Sequence, residues 1–211
     1  MSNNAKTVAI ANGKGGVGKS TLTFLLALYS TLRGKTVKVV DVDIQATALS
    51  ALAAFHDGEQ LLLASGSRGT NDEKEDTDEY TTDVIIYDLP AGPDIYEKPF
   101  WESLDILLVP CQSSEPDIDG TRQFLSYAAR NRTGHPYLRR RPRAVLVPNL
   151  IDTGDDLRRV YFRLRQVERT GPIPRSKNIK HAMGRDRDDD AIRNALAETD
   201  SVLARIYQFL F

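Results

Sequence analysis

Residues 12–21 read NGKGGVGKST, set between a short apolar, β-branched run at 6–11 (KTVAIA) and a helix-forming stretch at 21–33 (TLTFLLALYSTLR). A buried strand that turns through a glycine-rich loop straight into a helix leaves the chain few options. The strand must lie inside a sheet, and the helix must pack back on it. Gly13, Gly18, Lys19 and Ser20 satisfy the G-x-x-x-x-G-K-[ST] pattern. With Gly15, Gly16 and Val17 between them and Thr21 after, consecutive backbone N–H groups turn inward around a polyphosphate. Lys19 neutralises its outer phosphates, and Ser20 offers a hydroxyl to a magnesium ion. Lys14, directly after the first glycine, is needed for none of this. A cation on the loop's rim can instead reach toward a second nucleotide held by a second copy of the chain.

Further apolar strand-like runs recur at 37–42, 84–87, 106–109 and 144–147, separated by longer segments with helical spacing. That alternation predicts an α/β fold with a doubly wound, mostly parallel sheet covered by helices on both faces. Ligands are then bound beyond the carboxyl ends of the strands. The 211 residues, 41% of them apolar, suit one sizeable domain spanning 1–211. No stretch reaches the roughly 18 to 20 apolar residues of a membrane span. The start, MSNNAK, lacks an apolar secretory segment, so a cytoplasmic location is expected. The single cysteine, Cys111, follows an apolar run and reads as a buried structural thiol. His56, His135 and His181 have no metal-ligand spacing, which argues against zinc.

Two acidic positions join the loop. After the second apolar run, Asp41 and Asp43 (DVD) have i, i+2 spacing and can both face the bound phosphates. One can hold a metal-bound water while the other, Asp43, orients the water that attacks the γ-phosphate. The run VIIYDLPAG at 84–92 ends in Asp88, placed to act on magnesium through water, and its turn at 89–92 is suited to sensing the γ-phosphate.

The net charge of −1 hides a segregation. Residues 57–119 carry 17 acidic and 3 basic side chains, whereas 130–187 carry 16 basic and 5 acidic. Charge asymmetry of this kind points to a polyanionic partner or to self-association. The stretch 65–83 is acidic, with little to bury, and reads as a solvated loop. Across 157–169 the apolar residues Leu157, Val160, Tyr161, Leu164 and Val167 share one helical face. Arg158, Arg159, Arg163, Arg165 and Arg169 occupy the other. Arg139, Arg140, Arg141 and Arg143 form a second cluster, and Arg175, Lys177 and Lys180 a third. Nonspecific binding of DNA phosphates needs such a patch and no particular motif; a solvated face that docks the acidic half of another copy is the other reading. The stripe Ile192, Leu196, Leu203, Ile206 and Leu210 predicts a terminal helix packed on the sheet. With only Arg193 and Arg205 basic there, a membrane-surface helix is disfavoured.

The order KGGVGKST, DVDIQ, DEYTTDVIIYDLPAG, LLVPCQSSEPDIDG resembles the ParA/MinD family of deviant Walker ATPases over nearly the whole chain. In layout the chain is most similar to the small plasmid-partition type, which lacks a separate N-terminal DNA-reading domain. The resemblance implies ATP and Mg2+ as ligands and a homodimer formed on ATP binding, in which Lys14 reaches the partner's phosphates. It also implies that Asp43 is needed for hydrolysis, and that Asn149 and the turn Ile173, Pro174, Arg175 cradle adenine. A ParB-like stimulating adaptor and a nucleoid-associated location follow from the same resemblance. Two departures stand out: Ala91 where the family often has a second proline, and Ile44 where it often has proline. The rival readings are a MinD-like membrane-surface ATPase and an ATP-dependent small-molecule ligase of the dethiobiotin-synthetase type. Lys14 argues against the ligase, and a single cysteine against an iron–sulfur relative.

Overall fold

Alternate side chains of the central strands go to opposite faces of one parallel sheet, and both faces are dry. The computed structural model describes residues 5–55, 60–66, 82–92, 104–134 (side chains to 129), 142–184 and 187–211. Its elements are β1 (Lys6–Ile10), α1 (Lys19–Thr31), β2 (Val37–Asp41), α2 (Thr47–Leu52) running into a 3-10 turn (Ala53–Phe55), β3 (Leu61–Ser65), β4 (Val84–Asp88), β5 (Ile106–Cys111), α3 (Glu115–Gly134), β6 (Arg143–Ile151), α4 (Gly154–Arg163), β7 (Glu168–Arg169), β8 (Ile173–Pro174), α5 (Lys177–Ala182) and α6 (Asp189–Leu210). The strand order is β3-β2-β4-β1-β5-β6-β7, with β8 also paired to β6. The expected fold is therefore present, and each of the five expected strands lies in it.

Val8 and Ile10 of β1 point into a core shared with α1, α2, α5 and α6, while Ala9 and Ala11 face Phe124 and Ala128 of α3 on the other side. Leu146 of β6 joins Val160 of α4 and Ile118 of α3 in a third cluster. Strands buried on both faces are continuous in apolar character for this reason. Helix α1 is apolar nearly all round because it is enclosed, and Phe24 at its centre is fully buried. Truncating Phe24 to alanine would cost about 3–5 kcal/mol. Helix α6 starts at the Asp188 cap, whose carboxylate accepts from the Ala191 N–H. It turns Leu203, Ile206 and Leu210 into the core, with Ile192 and Leu196 packed at its margin. Among the described residues no helix is long and apolar enough to cross a membrane.

One expected element is corrected. The helix drawn over 157–169 runs instead from Gly154 to Arg163. Thr153 sets the start, its hydroxyl accepting from the Asp156 N–H, and Asp155 and Asp156 complement the helix dipole. The end is set by the open edge of β6. There, Glu168 and Arg169 pair with Val145 and Leu146, and the Thr170 N–H donates to the Leu146 carbonyl. Leu164 and Val167 still turn inward, but through a loop. Arg165 and Arg169 are thus off the helix.

Candidate nucleotide site

The strand that feeds the loop is the pivot of the sheet. β1 lies between β4 and β5, and its neighbours' connections depart in opposite directions, so a crevice opens beyond its carboxyl end. In register, Ile10 sits beside Asp88, and Asp88 beside Asp41. The last residue of β1 and both strand-end acids are therefore level, with residues 12–21 directly above them.

Helix α1 opens without a capping side chain and without an acidic residue in its first turn. Its leading N–H groups are left for an anion, the arrangement by which helix N-termini hold phosphate. Gly18 makes the entry, at φ +95°. A side chain there would be strained, and its Cβ would fall inside the Asn149 amide. Asn149 is buried, and its amide donates to the Val17 carbonyl at 2.7 Å while its Oδ1 lies buried without a partner among the described residues. Three further struts fix the loop. The Gln112 amide donates to the Gly16 carbonyl at 2.6 Å. Lys19 Nζ donates to the Lys14 carbonyl at 3.2 Å. Asn12 is wholly buried; its amide donates to the Pro110 carbonyl and the Thr121 hydroxyl, and its Oδ1 accepts from the Lys14 N–H. With the carbonyls of Lys14, Gly16 and Val17 held, the loop's amides other than that of Lys14 are left to face a ligand.

Lys19 is buried, and burial pulls its ammonium below the usual range, with Asp88 and Asp43 opposing. Asp88 is 1% exposed, and neither carboxylate oxygen has a hydrogen-bond partner among the described residues. Burial pushes its pKa up to about 7. The Ser20 hydroxyl, close by without meeting hydrogen-bonding geometry, and Lys19 favour the charged form, while Asp41 and Asp43 oppose it. A buried, unpartnered carboxylate beside a hydroxyl and a phosphate loop fits magnesium, which takes one or two protein oxygens together with phosphates. Asp41 is placed differently. Its Oδ1 accepts from the Asp43 N–H at 3.0 Å and its Oδ2 from the Leu49 N–H at 3.4 Å, so it ties the turn to α2. Burial also raises its pKa, while the backbone N–H groups of Asp43 and Leu49 oppose the shift. Asp43 is half-buried in that turn and accepts from the Gln45 N–H. Ile44 beside it is 77% exposed.

Two segments far apart in sequence meet at the loop's far side. Asn149 pairs with Ile173 and Ile151 with Pro174, across a bulge in which Leu150 takes φ +56°. Asn149 and Pro174 are thereby neighbours, with Arg175 next and held by Asp152.

The arginines are largely partnered. Arg158 pairs with Asp155, Arg159 with Asp156, and Arg143 with Glu168. Arg163 bridges Glu115 and Asp119 of α3, and Arg169 stacks over Tyr161 at 4.4 Å. Arg165 and Lys177 form no ion pair with a described residue. A cleft of about 720 Å³ between α3 and the α4–β7 connection is lined by Arg122, Arg143, Arg163, Arg165 and Phe162. Arg139, Arg140 and Arg141 lie outside the described residues, as does most of the acidic 65–83 stretch.

Asn12, Gln112 and Thr121 were not singled out from sequence. Each acts through a contact between distant positions, and an isolated polar residue after a strand carries no signal of that.

Residues 8–188 match the model of the CobQ/CobB/MinD/ParA nucleotide binding domain. The chain is 44% identical over 50 residues to the cytosolic Fe-S cluster assembly factor cfd1 of Aspergillus terreus, a match covering 24% of this chain and 16% of that protein. It is 30% identical over 114 residues to the sporulation initiation inhibitor protein Soj of Bacillus subtilis, covering 54% of this chain and 38% of that one. The curated relatives are thus matched over well under half their length. McdA from Cyanothece superposes in its apo form with a TM-score of 0.74 at 14% identity, covering 99% of this chain and all of that one, and a variant of it has been solved with ATP.

Proposed function

The chain belongs to the CobQ/CobB/MinD/ParA nucleotide-binding family, and from that premise we propose that it is an ATP-dependent dimerisation switch with weak ATPase activity. Its output in this reading is the partition or positioning of DNA or another cargo through nonspecific DNA binding. The observation that carries the proposal is the division of labour between two lysines. Lys19 is buried inside the loop and serves its own nucleotide, whereas Lys14 lies half-buried on the rim and makes no ion pair with a described residue. In a homodimer closed on ATP, Lys14 reaches the partner's phosphates.

Within each subunit the amides of residues 13 and 15–21 and the Lys19 ammonium hold the phosphates. Ser20 and Asp88 would hold magnesium, which when bound would supply neutralisation of the phosphate charge. Asp43 orients the attacking water. Asp41 acts at second hand, by fixing the turn that carries Asp43. Asn149 and Pro174 flank the adenine. For a switch, the γ-phosphate must be bound more tightly in the dimer than in the monomer, because a ligand shifts an equilibrium only by its differential affinity. Arg158, Arg159, Arg163, Arg165, Arg169, Arg175 and Lys177 supply the contacts to DNA phosphates, and a ParB-like adaptor stimulates hydrolysis.

Light-scattering mass measurement with ATP, with ADP and without nucleotide, beside a Lys14→Ala variant, tests the switch. A dimer only with ATP, lost in the variant, is expected; a dimer indifferent to Lys14 overturns the bridging role. DNA co-sedimentation at low salt tests the output, and absence of binding there removes DNA from the reading. The other reading is an ATP-dependent small-molecule ligase of the dethiobiotin-synthetase type. Rapid ATP turnover with a small acid or amine and no protein partner would favour it. A MinD-like reading would show as ATP-dependent pelleting with anionic liposomes.

A further inference from the structure

Three successive loop residues rest on one face of α3. The Asn12 amide donates to Thr121 at 2.8 Å, and a Cβ at Gly13 would stand in ordinary contact with Phe124, 3.8 Å away. The aliphatic stem of Lys14 crosses Gly120 so closely that a Cβ there would lie 2.6 Å from its Cγ and 2.8 Å from its Cδ. Real Cβ atoms do not approach carbon so closely, so any other residue at 120 would force Lys14 off at its second carbon. Glycine in a helix costs roughly 0.5–1 kcal/mol relative to alanine. Gly120 lies near the start of the 20-residue α3 and has no need of positive φ. Its use there is the room it leaves for the lysine.

We propose that Gly120 is a positioning residue: it is the seat that sets the path of the Lys14 side chain along the loop's rim, and thereby the direction in which its ammonium is presented to a second copy of the chain. The role rests on the dimerisation reading; the contact itself does not. With the seat intact, the stem is supported along its length and only the end of the chain is left to search. The ordering cost of reaching a partner's phosphate is then partly met in the monomer. With the seat filled, Lys14 keeps its charge and its loop but loses its path.

The test is a double-mutant cycle of Gly120→Ala and Lys14→Ala, with two readouts. The first is thermal unfolding of the nucleotide-free protein, which does not involve the dimer. Gly120→Ala should raise Tm by a few degrees in the Lys14→Ala background, where helix propensity acts alone, and leave it level or lower in the parent. Equal shifts in both backgrounds overturn the contact. The second is ATP-dependent association by sedimentation velocity, beside binding of fluorescent ADP to the monomer. Gly120→Ala should weaken association at least tenfold while changing ADP affinity less than twofold, and the double variant should be no weaker than Lys14→Ala alone. Association at parental strength, or losses that multiply in the double variant, overturns the positioning role. If Lys14→Ala itself associates as the parent does, the dimerisation reading fails and the positioning role with it, while the thermal cycle still decides the seat.

Discussion

Asp88→Asn isolates the cost of a buried, unpartnered carboxylate. The folded state holds this proton up to about pH 7, whereas the unfolded chain releases it near 3.8. Between those values the folded form carries the extra proton, so stability falls as pH rises through that window and levels off above it. Each tenfold in acidity is worth about 1.4 kcal/mol, which makes the full effect about 4 kcal/mol and the part between pH 5 and pH 8 about 3 kcal/mol. Asparagine leaves its amide unsatisfied at a cost of about 1–3 kcal/mol, but that cost is the same at every pH. The variant's stability relative to the parent should therefore grow by about 3 kcal/mol from pH 5 to pH 8. In urea unfolding without magnesium or nucleotide this is a relative midpoint shift of about 1 M or more. With magnesium and nucleotide the order reverses, because the parent gains ligand stabilisation and the variant loses its metal contact. Parent and variant that track each other across that pH range without ligand would refute the burial reasoning.

Three further outcomes are expected. Gly18→Ala strains a φ of +95° and drives a methyl into Asn149; stability should drop by about 1–3 kcal/mol and calorimetric nucleotide binding at least tenfold. Gln112→Ala releases the Gly16 carbonyl at an exposed position; unfolding should change by less than about 1 kcal/mol while nucleotide affinity falls several-fold, and an unchanged affinity would remove the strut's role. Arg163→Ala breaks exposed pairs to Glu115 and Asp119; stability should shift by no more than about 1 kcal/mol, and the salt slope of DNA binding should fall by about one.

What was legible in the chain was what local spacing fixes. The loop, its strand and helix, and Asp41, Asp43 and Asp88 follow from patterns a few residues long, and the five long buried strands from continuous apolar runs. β3 escaped notice although its five residues pair along the whole of β2. The two-residue strands β7 and β8 are too short to carry any period; β7 pairs Val145 and Leu146 on the edge of β6 away from β5, and β8 pairs where β6, nine residues long, extends past β5. The struts were out of reach for the same reason. Gln112 and Gly16 are 96 positions apart, Asn12 and Thr121 109, and only the folded sheet brings them together.

The charge segregation shows where counting stops and geometry takes over. A surplus of 11 basic side chains over 130–187 reads from sequence as a bare cationic face. In the fold, Arg143, Arg158, Arg159, Arg163 and Arg175 each meet a carboxylate at a largely exposed position. Such pairs are worth about 0–1 kcal/mol apiece, so exchanging a carboxylate for a phosphate is inexpensive, and carboxylate pairing does not preclude polyanion binding. The acids set free are not scattered. Glu115 and Asp119, the partners of Arg163, belong to the first two turns of α3, which also carry Gly120 and meet the loop through Thr121. Arg163 is thus tied to the same end of the helix against which Lys14 rests.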